Sequence, residues 1–196
     1  MTYKIFCTHY SKLTHRKDNI NNFFKSLDCD ILFVESHEIG VDLLNNPYTI
    51  TDRELSLWLK HLDIHKLIVD SDLDYAFIIE DDIYSDFDLP LTDFFDKIVN
   101  EKNNSDIIFF GGTYNMMVHN PHPNKLVYEG YNTSRCAHGY FVTKNTSNII
   151  VNSPKLNQPF DHALNEYIIE NKLNTSWTYP HIKQKTVEGI ENSSLR

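Results

Sequence analysis

Tyr75-Ala76-Phe77-Ile78-Ile79 runs without a break into Glu80-Asp81-Asp82. A short, continuous apolar run of this kind predicts a strand covered on both faces, as in a largely parallel sheet, because a strand with one wet face would alternate. Its abrupt end in three carboxylates places charge at the carboxyl end of a strand. In an open α/β sheet, ligands gather at that end.

The chain on either side fits the same reading. Lys4 to Cys7 and Asp30 to Glu35 predict two more strands, with a polar loop through Arg16 and a helix over Asn19 to Leu27 between them. Thr51-Asp52-Arg53-Glu54 is a capping box, in which a hydroxyl caps the helix and a carboxylate three residues later reaches back. Leu55, Trp58, Leu59 and Leu62 then supply a helical stripe, so a helix is predicted over Thr51 to Val69. Strands are expected at Asp106 to Phe110, before Gly111-Gly112, and at Ala137 to Thr143. Helices are expected at Ser147 to Val151 and His162 to Asn171, with a short strand around Trp177. Strands alternating with helices predict a single α/β domain over residues 1–196, with a Rossmann-like, mostly parallel central sheet flanked by helices.

Three adjacent carboxylates repel one another and resist ionisation unless a cation sits among them. Ligands that are all oxygen suit a hard ion, Mn²⁺ or Mg²⁺. Such an ion can bridge a diphosphate that an acidic protein would otherwise repel. In an extended chain Glu80 and Asp82 share one side, which makes them the expected metal ligands, and Asp81 points away toward a backbone or arginine partner. The acidic stretch Asp70-Ser71-Asp72-Leu73-Asp74 reads instead as a solvated turn.

Composition narrows the function. The formal net charge of -9 disfavours non-specific nucleic-acid binding and docking on anionic membranes. No apolar run approaches the roughly 20 residues of a membrane helix, and the N-terminus carries no apolar stretch of signal-peptide length, so a cytoplasmic protein is expected. Cys7, Cys29 and Cys136 are far apart and form no metal-binding pair. His119 and His122 lack zinc spacing. The Asn-x-Ser/Thr triplets at Asn103, Asn132, Asn145, Asn174 and Asn192 are what an Asn- and Ser-rich chain produces by chance.

In the order of its motifs the chain resembles family 25 glycosyltransferases, the lipopolysaccharide glycosyltransferases and procollagen galactosyltransferases, which have relatives in large DNA viruses. Tyr75 to Ile83 is similar to the strand of that family that ends in a Glu-Asp-Asp metal motif. Glu54 and His61 keep the spacing of an upstream helical motif, although Ser56 and Lys60 stand where the family has glycine and serine. Asp106 to Gly112, His138 to Thr143, Pro159-Phe160-Asp161 and Gln184 with Glu188 to Ser193 match later motifs. The resemblance implies a GT-A fold and a divalent cation. It also implies a UDP-sugar donor carrying a hexose such as galactose or glucose, a glycan or protein hydroxyl as acceptor, and inversion at the anomeric carbon.

On that resemblance Asp82 and Glu80 are the expected metal ligands and Asp161 the catalytic base. Glu80, Asp81, Arg16, Arg135 and His61 are candidates for holding the donor. Each also has a plainer reading. Glu54 can serve the capping box alone, Asp161 can cap the helix that follows it, and His61 can be a core histidine on the face of Glu54 and Trp58. Two other functions stay open: a degenerate domain that binds a nucleotide or glycan without turnover, and a Mg²⁺-dependent phosphatase. The phosphatase lacks the expected Asp-x-Asp near the N-terminus.

Overall fold

A computed structural model describes residues 4–27, 29–111, 121–130, 133–134 and 136–184. In chain order the elements are β1 (Ile5–Thr8), α1 (Thr14–Phe23), β2 (Ile31–Val34), α2 (Asp52–Asp70), β3 (Tyr75–Glu80), β4 (Ile83–Tyr84), α3 (Leu91–Glu101), β5 (Ile107–Phe109), β6 (Val127–Glu129), β7 (Gly139–Thr143), α4 (Lys144–Asn152), α5 (Phe160–Asn171), β8 (Thr175–Thr178) and β9 (Lys183–Gln184).

Seven strands form one sheet in the order β2-β1-β3-β7-β5-β8-β6, and β4 pairs with β9 in a separate two-stranded ribbon. β2, β1, β3, β5 and β8 run one way, while β7 and β6 run against them. The sheet is therefore mostly parallel, as expected, with an antiparallel strand between β3 and β5. No helix among the described residues is long and apolar enough to cross a membrane.

Strand alternation builds two cores. Phe6, Ala76, Ile78, Ile107, Phe109, Tyr140 and Val142 face one side, where Trp58, Leu62, Ile150, Leu164 and Tyr167 of α2, α4 and α5 cover them. Ile5, Cys7, Phe77, Ile79, Ile108, Phe110 and Phe141 face the other, beneath Ile20 of α1 and Phe94, Phe95 and Ile98 of α3. This arrangement explains why the central strands read as continuous apolar runs: both faces are dry.

The capping box of α2 is formed. Thr51 Oγ1 accepts from Glu54 N at 3.2 Å, and Thr51 N donates to Glu54 Oε2 at 2.8 Å. Two expectations need correction. α1 begins at Thr14 rather than near Asn19, so Arg16 sits in a first helical turn and not in a loop. Its polar, exposed start carries no apolar period to read, and the apolar stripe runs on past the helix, where Phe24 and Leu27 are buried in the following turns. α3 was not anticipated, although Leu91, Phe94, Phe95, Ile98 and Val99 are all buried at helical spacing.

Candidate active site

The carboxylates at the end of β3 divide as an extended chain requires. Asp81 turns toward the β1 side. Its Oδ2 accepts from His9 Nδ1 at 2.8 Å and from Tyr10 N at 3.3 Å, and its Oδ1 accepts from Arg16 Nη1 at 2.8 Å. Burial alone would raise the Asp81 pKa, but the bonds from His9 and Arg16 outweigh it and hold the carboxyl below the usual carboxylate range. Glu80 and Asp82 turn to the other side, where they meet at Gln184. Its Nε2 lies 3.1 Å from Glu80 Oε2 and 3.2 and 3.3 Å from Asp82 Oδ1 and Oδ2.

Gln184 reaches this point through the ribbon. β4 follows the triplet directly, and its Ile83 pairs with Gln184. The approach of the 182–184 segment is held by Ile182 N donating to Phe110 O, and by His138 Nε2 donating to Ile182 O at 3.0 Å. Gly111 makes room for it: a Cβ there would lie 2.2 Å from Ile182 O and 2.7 Å from His138 Nε2. The glycine after β5 is thus required by close backbone approach.

Both inner carboxylates resist ionisation in the fold. Burial drives the Glu80 pKa well up, helped by Asp82, Asp81 and Asp161, with Arg16 opposing. Burial also raises Asp82, against the nearby Arg16. Arg16 Nη1 is 3.5 Å from Asp82 Oδ2 and is already bonded to Asp81.

Two cavities open on this cluster. The larger, about 360 Å³, is lined by Thr8, His9, Tyr10 and Arg16 from the β1–α1 side, Ile39, and Arg53, Ser56 and Lys60 from α2. The smaller, about 50 Å³, is lined by Glu54, Cys136, His138, Phe160, Asp161 and Gln184. Leu57 and Glu80 line both, so the two spaces adjoin at Glu80. Cys136 sits in the narrow cleft with its thiol pushed up to about 11 by burial and by the charges of Glu80 and Asp161.

The candidate residues therefore separate. Arg16 joins Asp81 and Asp82, and Asp161 lines the narrow cleft with Glu80. Asp161 is half-buried in the first turn of α5, after Pro159 at the N-cap position, and its Oδ1 accepts from His162 N of that turn at 2.9 Å. His61, expected at the donor, is instead fully buried. Its ring stacks on Phe160 at 4.1 Å, and its Nδ1 meets Tyr140 Oη at 3.0 Å. Burial drives its pKa well down, so it is a neutral core residue. Arg135, His119 and residues 188–193 lie outside the described residues.

Sequence reasoning missed Lys60, His9 and Tyr10. Buried Lys60 donates to His9 O at 2.9 Å and to Glu38 Oε1 at 3.1 Å, and Ser56 Oγ donates to His37 O at 2.7 Å. The two departures from the family pattern thus both tie the 37–38 loop to α2. On the predicted helix Lys60 lies off the Leu55, Trp58, Leu59 and Leu62 stripe, so the helical period gave no signal that it is buried.

The donor chemistry fits a hard divalent ion in part. Two carboxylates face one point, but no group of three His, Cys, Asp or Glu does so among the described residues. An ion there would take its remaining ligands from elsewhere, as Mg²⁺ and Mn²⁺ sites that bind phosphates commonly do.

The chain matches no family profile and no curated protein. Among solved structures it is similar to HddC from Yersinia pseudotuberculosis, with 12% identity, 92% of this chain and 72% of that chain covered, and a TM-score of 0.47. It is similar to A197 from STIV, with 13% identity, coverage of 90% and 81%, and a TM-score of 0.47. It is also similar to a glycosyltransferase involved in glycosylation of the major capsid of PBCV-1, with 11% identity, coverage of 90% and 81%, and a TM-score of 0.45.

Proposed function

We propose that the chain is a cation-dependent glycosyltransferase. It would take a UDP-sugar in the larger cavity and pass a hexose to a glycan or protein hydroxyl presented at the narrow cleft. The observation that carries this reading is the junction at Glu80, where a cavity bearing Arg16, Arg53 and Lys60 adjoins a cleft bearing Asp161. Arg16 is paired with Asp81 and Lys60 with Glu38 in that cavity, and their remaining N–H donors suit an anionic ligand.

In this reading Tyr10 and Leu13 offer the half-buried apolar surface for a nucleobase. Glu80 and Asp82 would hold Mn²⁺ or Mg²⁺, which when bound supplies Lewis-acid stabilisation of the departing diphosphate. Arg16, fixed by Asp81, keeps a guanidinium beside the same point. Asp161, across Glu80 from the larger cavity, accepts the proton of the acceptor hydroxyl. The hydroxyl oxygen then bonds to the anomeric carbon. The bond from that carbon to the diphosphate breaks, and its electron pair leaves with UDP. Attack from the face opposite the diphosphate inverts the anomeric centre.

The test is release of UDP from a panel of UDP-sugars, with acceptor glycans or peptides, in Mn²⁺ and in EDTA. Mn²⁺-dependent UDP release that Asp82→Ala abolishes supports the proposal. UDP binding with no turnover of any donor points to the binding module, and phosphate release from phosphomonoesters points to the phosphatase.

A further inference from the structure

The Gln184 amide nitrogen occupies an unusual position. It faces three carboxylate oxygens, Glu80 Oε2 and both oxygens of Asp82, within 3.1–3.3 Å. A side-chain amide has two hydrogens, so it cannot satisfy three acceptors at once. It is also neutral, so it brings no charge to the two buried carboxylates, of which Asp82 has Arg16 Nη1 at 3.5 Å. A point ringed by three carboxylate oxygens is an environment that suits a cation, and in this structure the Gln184 amide nitrogen sits there.

The other end of the amide is a hard oxygen. Rotation by 180° about the terminal torsion exchanges nitrogen and oxygen without moving the chain, and that torsion is broad and nearly two-fold. The backbone beneath stays fixed, because Gln184 pairs with Ile83 and the preceding turn is tied to Phe110 and His138.

We propose that Gln184 is the third protein ligand of the divalent cation. Its amide donates to Glu80 and Asp82 when the ion is absent, and turns over to present Oε1 when the ion binds. This inference rests on the cation reading of the proposed function and adds the ligand that the two carboxylates lack. It gives an all-oxygen set of Glu80, Asp82 and Gln184, with the remaining positions left to diphosphate and water, as a hard ion prefers.

The experiment measures Mn²⁺ and Cd²⁺ binding to the purified protein, by calorimetry and by the resonance signal of free Mn²⁺, with UDP present and without any sugar donor. The variants are Gln184→Ala, Gln184→Met and Asp82→Ala, each checked by its melting curve. Gln184→Ala should weaken Mn²⁺ binding by about tenfold or more, a loss of the order seen when support for a metal site is removed. Gln184→Met keeps the length but replaces the hard oxygen with a soft thioether. It should weaken Mn²⁺ similarly and Cd²⁺ less, shifting the ratio of the two affinities. Mn²⁺ affinity unchanged or tightened in Gln184→Ala, with Asp82→Ala abolishing it, overturns the ligand role and leaves the cation reading standing. Equal effects of Gln184→Met on both ions overturn the ligand role as well. Absence of Mn²⁺ binding in the unmodified protein overturns both.

Discussion

Arg16 Nη1 lies 2.8 Å from Asp81 Oδ1 and 3.5 Å from Asp82 Oδ2, so one guanidinium spans the last two carboxylates of the triplet. The closer bond belongs to Asp81, which also binds His9. The middle carboxylate thus anchors the site, and its two neighbours are left to meet at Gln184.

Removing that anchor should be costly. Asp81→Asn strips a half-buried Arg16 of its main partner, and breaking a buried pair typically costs about 3–5 kcal/mol, less here because Arg16 is partly wet. The Asp81 pKa is lowered in the fold, so its stabilisation is complete at neutral pH and is lost as pH falls through that lowered value. Urea unfolding as a function of pH should show this acid-range loss in the native chain and a smaller one in Asp81→Asn.

Glu80→Gln should have the opposite sign. Burial and the neighbouring carboxylates raise the Glu80 pKa, so its charged form weakens the ion-free fold at neutral pH. The amide removes that charge and can still accept from Gln184. The ion-free protein should gain about 0.5–2 kcal/mol, the range typical when a strained functional group is relieved. Cation binding should fall in the same variant. Melting curves in EDTA and in Mn²⁺ would show both effects.

His61→Phe should leave UDP binding within about twofold, because a phenyl ring preserves the stack on Phe160 and His61 lines neither cavity. The neighbouring His65 makes the pH signature. Burial pushes its pKa down to about 3, so the fold keeps it neutral while the unfolded chain takes up a proton near pH 6.5. Stability should therefore decline as pH falls from about 6.5 toward 3, and His65→Phe should remove part of that slope.

What the sequence made legible follows from where local signals coincide with tertiary ones. β3 and α2 were readable because a doubly buried strand is continuously apolar and because a capping box is purely local. The sides taken by Glu80, Asp81 and Asp82 followed from strand alternation. Gln184 was matched to a family motif, but its contact with residues about a hundred positions earlier depends on the pairing of β4 with β9, and two-residue strands leave no pattern. His61 shows the converse. One helix face can point to a site or into a core, and only the position of Phe160 on α5 decided it. α3 carries a legible apolar period in Leu91, Phe94, Phe95, Ile98 and Val99.

Glu54 and Asp161 line the narrow cleft beside Glu80, with different expected effects. Asp161→Asn should reduce sugar transfer by about 10²–10⁴-fold, the usual worth of a general base, with Mn²⁺-dependent UDP binding intact. Glu54→Gln should cost little, because Glu54 Oε2 is held by Thr51 N and Oγ1 in the capping box, which an amide oxygen can retain in part. Transfer rates near wild type for Asp161→Asn would remove it from the chemistry. A hundredfold loss in Glu54→Gln with an unchanged melt would place Glu54 there instead.

Thermal melting with UDP tests most directly whether a nucleotide and a divalent ion bind together at Glu80 and Asp82. With Mn²⁺ present, UDP should raise the melting temperature, by an amount corresponding to about 2.7 kcal/mol at 100 times its dissociation constant. With EDTA, or in Asp82→Ala, the UDP-induced shift should vanish while the protein remains folded. An equal UDP shift in Mn²⁺ and in EDTA, or none in either, would contradict that joint binding.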